Sequence, residues 1–382
     1  MITRINSSRI SEKLKRSPAV VLVGPRQCGK TTLAKALPDI AYFDLERDSD
    51  RVRLDLEWPA LVSEKKCIVL DEVQTMPELF PRLRSEIDGK RKQNGRFLLL
   101  GSVAPSLMKQ VAESLAGRLS ICEMTPFVAT ELPEAQWDRL WCYGGYPDGG
   151  VLDAKQFPTW QSDYLTLLVQ RDFPVWGLPA LPPVTLRLLK MLAAVQGQQW
   201  NASQIAKGLG LSYHTVNSYV EFLEQAFLIR RIPAWSGNIL KRIVKSPRLY
   251  WRDSGLCHAL LGLRARNALL EQPWVGSSWE GWVIEQILVA FQLAGIAVNP
   301  YWFRTQEQLE ADLILEFGDE RWVIEIKLTT LPKTDDFKGL KKVAELISAT
   351  RAILVSRTRE VVWGRKESSV HLHELLARIR KV

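Results

Sequence analysis

AVVLVGPRQCGKTTLAKAL, residues 19–37, decides how the first third of the chain folds. Ala19 to Val23 is an unbroken apolar run of strand length, the composition of a strand buried on both faces. Gly24-Pro25-Arg26-Gln27-Cys28-Gly29-Lys30-Thr31 follows with the spacing G-x-x-x-x-G-K-[ST], and Thr32 to Leu37 opens a helix. The chemistry requires this order. The loop turns its backbone N–H groups inward, and the helix N-terminus adds partial positive charge. Residues 24–32 are thus the expected nucleotide contacts. Lys30 is expected to reach the β- and γ-phosphates and the Thr31 hydroxyl to ligate Mg²⁺, which makes ATP and Mg²⁺ the expected cofactors. Cys28 lies inside the loop, so its alkylation is expected to block nucleotide binding.

A phosphate loop needs a partner strand ending in an acid. Cys67-Ile-Val-Leu-Asp71-Glu72 supplies one. Asp71 is expected in the Mg²⁺ shell, and Glu72 as the group that orients or deprotonates the attacking water. A third strand, Arg96 to Gly101, leads to Ser102, placed to contact the γ-phosphate. Ser114-Leu-Ala-Gly-Arg118 offers two readings of Arg118: a finger acting on a neighbouring subunit's nucleotide, or a surface arginine at a helix end.

The set GPRQCGKTT, IVLDEVQ, LLLGS and LAGRL, followed by GGYP at 144–147, resembles AAA+-type P-loop ATPases of bacteria and archaea that carry a C-terminal domain of unknown function. The resemblance runs the length of the chain. It implies an AAA+ core, ATP hydrolysis and a homo-oligomer such as a ring. The expected organisation is an AAA+ P-loop core at 1–130, a helical lid at 131–178, a winged-helix domain at 179–254 and a nuclease-like domain at 255–382.

The winged helix is read from the middle of the chain. A helix with Leu186, Leu189 and Leu192 on one face precedes a short helix at Gln204–Leu209, a turn at Gly210-Leu-Ser212, and a longer helix from Tyr213. Strands at Leu228–Trp235 and Leu249–Trp251 would make the hairpin. From Ala226 to Arg266 there are nine Lys/Arg against Asp253 alone. DNA is the expected partner: His214, Asn217 and Ser218 in the major groove, and Arg230, Arg231, Lys241, Arg242 and Lys245 on phosphates. Winged helices also serve as protein-binding modules, and that alternative stays open.

In the last third, ADLILEFGDERWVIEIKLT (311–329) reads as two strands around Gly318-Asp319. With a helix at 278–293, a strand at 298–303, a helix at 334–347 and a strand at 352–356, the order is αβββαβ. That order resembles PD-(D/E)xK, restriction-endonuclease-like domains. Residues two apart in a strand share a face, so Glu325 and Lys327 point together and the turn folds Asp312 back toward them. Asp312 and Glu325, with Glu280, would hold a metal ion, and Lys327 would stabilise the attacking hydroxide. The alternative is the charged side of an ordinary hairpin.

Composition limits the rest. The chain has 382 residues, 46% hydrophobic and 24% charged, with net charge +9. That is enough for several packed domains. Five scattered cysteines (28, 67, 122, 142, 257) show no metal or disulfide spacing and read as reduced thiols in a cytoplasmic protein. His371 and His373 read as a surface pair. No membrane span or signal-peptide core is expected. Two functions fit: an ATP-driven DNA-processing protein, or an ATP-dependent molecular switch whose later domains bind protein.

Overall fold

A computed structural model describes residues 2–101, 114–237 and 243–381. Ser102, Lys241 and Arg242, three of the expected contacts, lie outside the described residues. The chain forms two compact units. The first holds residues 1–127 with 175–178 and 225–227, and the second holds the remainder. No described helix is long and apolar enough to cross a membrane.

The first unit is built on a five-stranded parallel sheet in the order β2-β3-β4-β1-β5. Its strands are β1 (Ala19–Val23), β2 (Ile40–Asp44), β3 (Cys67–Asp71), β4 (Phe97–Leu100) and β5 (Leu119–Glu123). β1 is buried along its whole length. Val21 and Val23 pack with Leu54, Trp58, Leu83 and Ile87 on one side. Val20 and Leu22 pack with Ile10, Leu33 and Ala34 on the other. A parallel strand covered on both faces has no need of polar alternation, so the sequence reads as AVVLV. β4 lies between β1 and β3, which sets the phosphate loop and the acidic strand end on either side of it.

In the second unit the expected helix–turn–helix is present as Ala202–Leu209 and Tyr213–Gln225. Asn201 caps the first helix by accepting the Gln204 N–H at 3.1 Å, and Gly210 ends it in the left-handed region (φ 69°) that glycine adopts freely. The hairpin strands are β6 (Ile229–Ile232) and β7 (Arg248–Trp251), paired antiparallel. The C-terminal sheet has six strands in the order β12-β13-β11-β10-β9-β8. They are β8 (Asn299–Arg304), β9 (Glu310–Phe317), β10 (Glu320–Ile326), β11 (Arg351–Ser356), β12 (Val362–Trp363) and β13 (Glu367–His371). The helix Val275–Ala294, β8 to β10, the helix Asp336–Leu346 and β11 reproduce the αβββαβ order.

The segment expected as a lid, 131–178, packs with this second unit, apart from residues 175–178. Trp141 Nε1 donates to Ser278 Oγ at 3.0 Å, and the Gly145 N–H donates to Asp253 Oδ2 at 2.7 Å. Gly144 has φ 81°, and a Cβ there would stand 2.2 Å from Asp253 Oδ1. The GGYP sequence is therefore a seat for Asp253, which also caps the helix Ser254–Leu260 through the Leu256 N–H. Helix propensity gives no information about which neighbour a helix packs on.

Candidate functional sites

The nucleotide site is assembled at the C-terminal ends of β1 and β3. Gly24 passes so close to β5's end that a Cβ would lie 2.1 Å from the Met124 carbonyl oxygen, so only glycine fits. Gln27 and Gly29 take positive φ (61° and 100°), which turns the loop into the helix that begins at Lys30. The Lys30 ammonium is buried and donates to the Gly24 and Pro25 carbonyls, both at 2.9 Å. Thr31 Oγ1 donates to Asp71 Oδ2 at 2.6 Å, and Tyr42 OH donates to the same oxygen at 2.7 Å. Burial first, then the bond to Asp71, raises the Tyr42 phenol above its ordinary range, so it remains a donor. Glu72 sits in the left-handed region (φ 53°, ψ 44°), and its carboxylate accepts from the Gln74 amide. A non-glycine residue held there costs on the order of 1 kcal/mol and is common at working sites.

Arg4 was not identified in the sequence. It is buried, donates to the Cys28 carbonyl at 2.9 Å and the Thr125 carbonyl at 2.6 Å, and so ties the phosphate loop to the end of β5. An isolated Arg near the N-terminus carries no motif that marks it.

One expectation in this unit is corrected, and Arg118 has a partner of its own. Cys28 is fully buried, with its thiol 3.6 Å from the Met124 carbonyl oxygen, so it contributes backbone and is shielded from alkylation. Arg118 makes a bidentate pair with Asp88 of its own chain, Nε–Oδ1 2.7 Å and Nη2–Oδ2 3.0 Å. Hydrogen bonding to Arg118 holds the Asp88 carboxyl below its usual range. The guanidinium fork is thus engaged in cis, as the surface reading of Arg118 has it.

In the second unit, Asp312, Glu325 and Lys327 do come together. Lys327 Nζ is 2.7 Å from Glu325 Oε1, and Asp312 Oδ2 accepts the Ile326 N–H at 2.8 Å. Glu280 joins them, and so does Glu310, which the sequence reading missed. The centre of the group is a cation. Arg248, first residue of β7 and 7% exposed, stands 3.2 Å from Glu280 Oε1 and 3.7 Å from Asp312 Oδ1 through Nη1, and donates through Nη2 to Glu310. Its guanidinium lies 4.4 Å from the centre of the Trp302 ring. Tyr250 OH donates to Glu280 Oε1 at 2.5 Å. Burial, then the neighbouring Asp312 carboxylate, push Glu280 up to about 8 and Glu325 up to about 7. Among the described residues, no three His, Cys, Asp or Glu side chains form a group able to hold a metal ion. Where a metal ion was expected among Asp312, Glu325 and Glu280, the described side chains place Arg248. Arg248 supplies from within the chain the positive charge a metal would bring.

Several described residues of the basic segment are engaged within the chain. Arg230 and Arg252 both clasp buried Glu285, at 2.9 and 2.7 Å. Burial works to raise the Glu285 carboxyl, but the two arginines outweigh it and hold it at about 2. Arg231 pairs with Glu224 at 2.5 Å, and Arg266 with Asp138 at 2.5 Å. Asn217 accepts from Trp200 Nε1 at 2.8 Å. Of the DNA contacts expected, His214, Ser218 and Lys245 remain exposed.

Sheet order, loop and the Thr31–Asp71 pair define the first unit as a P-loop ATPase core. Family models match in series: an AAA domain over residues 16–132, a domain of unknown function (DUF8612) over 134–267, and a second (DUF4143) over 275–375. The Uncharacterized protein Rv2008c of Mycobacterium tuberculosis is 37% identical over 333 residues, 85% of this chain and 74% of that one. The Uncharacterized protein Mb2031c of Mycobacterium bovis matches to the same extent. The chain belongs to the family of these two mycobacterial proteins. Among solved structures, the Walker-type ATPase PABY2304 of Pyrococcus abyssi is similar in fold, with TM-score 0.50 and 14% identity over 69% of this chain and 96% of that one.

Proposed function

We propose that the protein is an Mg²⁺-dependent ATPase acting as a molecular switch, with its second unit serving as a protein-binding module that does not cut nucleic acid. The observation that carries the second half is Arg248 among Glu280, Glu310 and Asp312. A guanidinium there neutralises the carboxylates and occupies the place from which a cation would polarise a phosphate.

In the ATPase unit the donor set suits a hard divalent ion, since Thr31 offers a hydroxyl from the helix after β1 and Asp71 a carboxylate at the end of β3. Thr31 and Asp71 would hold Mg²⁺, which would supply positive charge against the phosphates. Lys30 exchanges the Gly24 and Pro25 carbonyls for phosphate oxygens, a short move because those acceptors belong to the loop itself. The loop amides cradle the phosphates. Glu72, released from Gln74, orients water toward the γ-phosphate. Self-association belongs to the same proposal and is tested by sedimentation with and without ATP.

The deciding experiment measures ATP hydrolysis and DNA cleavage together, with Mg²⁺ or Mn²⁺, for the wild type, Lys30→Ala and Asp312→Ala. Hydrolysis lost in Lys30→Ala with DNA left intact throughout is the expected result. Metal-dependent cutting that disappears in Asp312→Ala would overturn the non-cutting reading. A second reading, DNA contact without cleavage, draws on the exposure of Tyr213, His214 and Ser218 on one helix and of Lys245. It requires DNA affinity to fall with salt at a log–log slope of about −0.9 per phosphate neutralised.

A further inference from the structure

A cleft of ≈ 790 Å³ lies in the second unit between the chain after β10, the helix Asp336–Leu346 and the β12–β13 edge. Lys333, Lys341 and Arg359 line it, with Phe337 on the apolar side and Ser368 and Ser369 on β13. Lys341 is paired with Glu367 at 2.6 Å, whereas Lys333 and Arg359 make no ion pair among the described residues. The hydroxyls of Ser368 and Ser369 are both buried without a hydrogen-bond partner, and Ser368 is only 2% exposed. Successive strand residues face opposite ways, and Ser369, aligned with Leu354 whose side chain packs with Leu340 and Val343, is the one on the cleft side, where a buried hydroxyl ordinarily finds an acceptor. No residue of the ATPase site or of the Arg248 cluster belongs to this cleft.

We infer that the cleft binds a small phosphate-bearing ligand. Lys333 and Arg359 hold the oxyanion, the Ser369 hydroxyl adds a donor, and Phe337 meets the apolar body of the ligand. The donors favour phosphate over carboxylate. A tetrahedral oxyanion offers acceptors in several directions to cations and hydroxyls from separate elements, while a carboxylate offers two oxygens in one plane. The volume falls within the roughly 300–1,000 Å³ of small-molecule sites.

The test uses the full chain carrying Lys30→Ala, so that the phosphate loop does not bind the probe. AMP, inorganic phosphate and adenosine are titrated by calorimetry. AMP is expected to saturate one site per chain, inorganic phosphate to compete with it, and adenosine to bind at least about tenfold more weakly. Arg359→Ala and Lys333→Ala are each expected to weaken AMP by about tenfold. In the Lys30 chain, Arg359→Ala is expected to leave ATP hydrolysis unchanged. Ser369→Ala should weaken AMP without lowering the melting temperature. No saturable binding at millimolar probe would overturn the inference. So would binding unmoved by both cation substitutions, or adenosine binding as well as AMP. Any of these outcomes leaves the ATPase reading intact.

Discussion

The Arg248 guanidinium lies 3.2 Å from Glu280 Oε1, joining the hairpin strand β7 to the helix Val275–Ala294. Arg248 is buried and Glu280 half-buried, so the two groups are far from independent. Truncating Arg248→Met leaves Glu280, Glu310 and Asp312 facing one another and is expected to destabilise the second unit by about 3–5 kcal/mol. Glu280→Gln should recover part of that loss. Urea unfolding of the two single variants and the double variant reads the coupling directly, and additive effects would refute it.

Glu72 and Lys30 are expected to separate hydrolysis from binding. Glu72→Gln keeps the loop, Thr31 and Asp71, so ATP still binds while turnover falls by about 100-fold or more. Lys30→Ala loses both. Nucleotide-binding and single-turnover assays on the same preparations check this, and a Glu72→Gln enzyme with normal turnover would move the water-orienting role elsewhere.

Arg118 makes the opposite prediction. Because Asp88 holds it in cis, Arg118→Ala should change ATP turnover by less than about threefold, since exposed ion pairs contribute little. A steady-state assay over a range of protein concentrations decides it. A loss of about 10³-fold would restore the finger.

His258 is fully buried, with Nδ1 2.7 Å from the Cys142 carbonyl and Nε2 2.7 Å from Ser278 Oγ. Burial pushes it down to about 4 from 6.5. A depressed folded pKa means that the unfolded chain binds the proton first. The contribution of His258 is therefore intact above pH 6.5 and is lost progressively as pH falls toward 4. His258→Gln should be less stable at pH 7 by about 1–3 kcal/mol, with the gap to wild type narrowing over that window. Chemical denaturation at pH 7, 5.5 and 4.5 measures it, and a constant gap would rule the histidine out.

What the sequence revealed follows the range of the interactions. The phosphate loop, the acidic end of β3 and the Gly318 turn are written in contiguous residues, and each formed where local pattern placed it. Asp312, Glu325 and Lys327 met because a hairpin with period-2 alternation leaves little choice. Glu310 was missed, although it lies two residues before Asp312 in the same strand and so shares its face. Arg248 was legible only as one charge in a basic run. Its partners come from a helix 32 residues on and a strand 62 residues on, and net charge records no partner. The same blindness made Arg230, Arg231 and Arg252 look like a phosphate footprint.

Glu285 between Arg230 and Arg252 has a consequence for how this protein tolerates change. Loss of either arginine still leaves a one-to-one pair, so each arginine is insured by the other. Loss of the glutamate strands two cations together beside a buried helix. Random mutagenesis with selection for folded protein should recover single substitutions at Arg230 or Arg252, while position 285 returns only glutamate unless an arginine has already gone. Neutral drift at this clasp has a direction: the arginines can leave first, and the acid last.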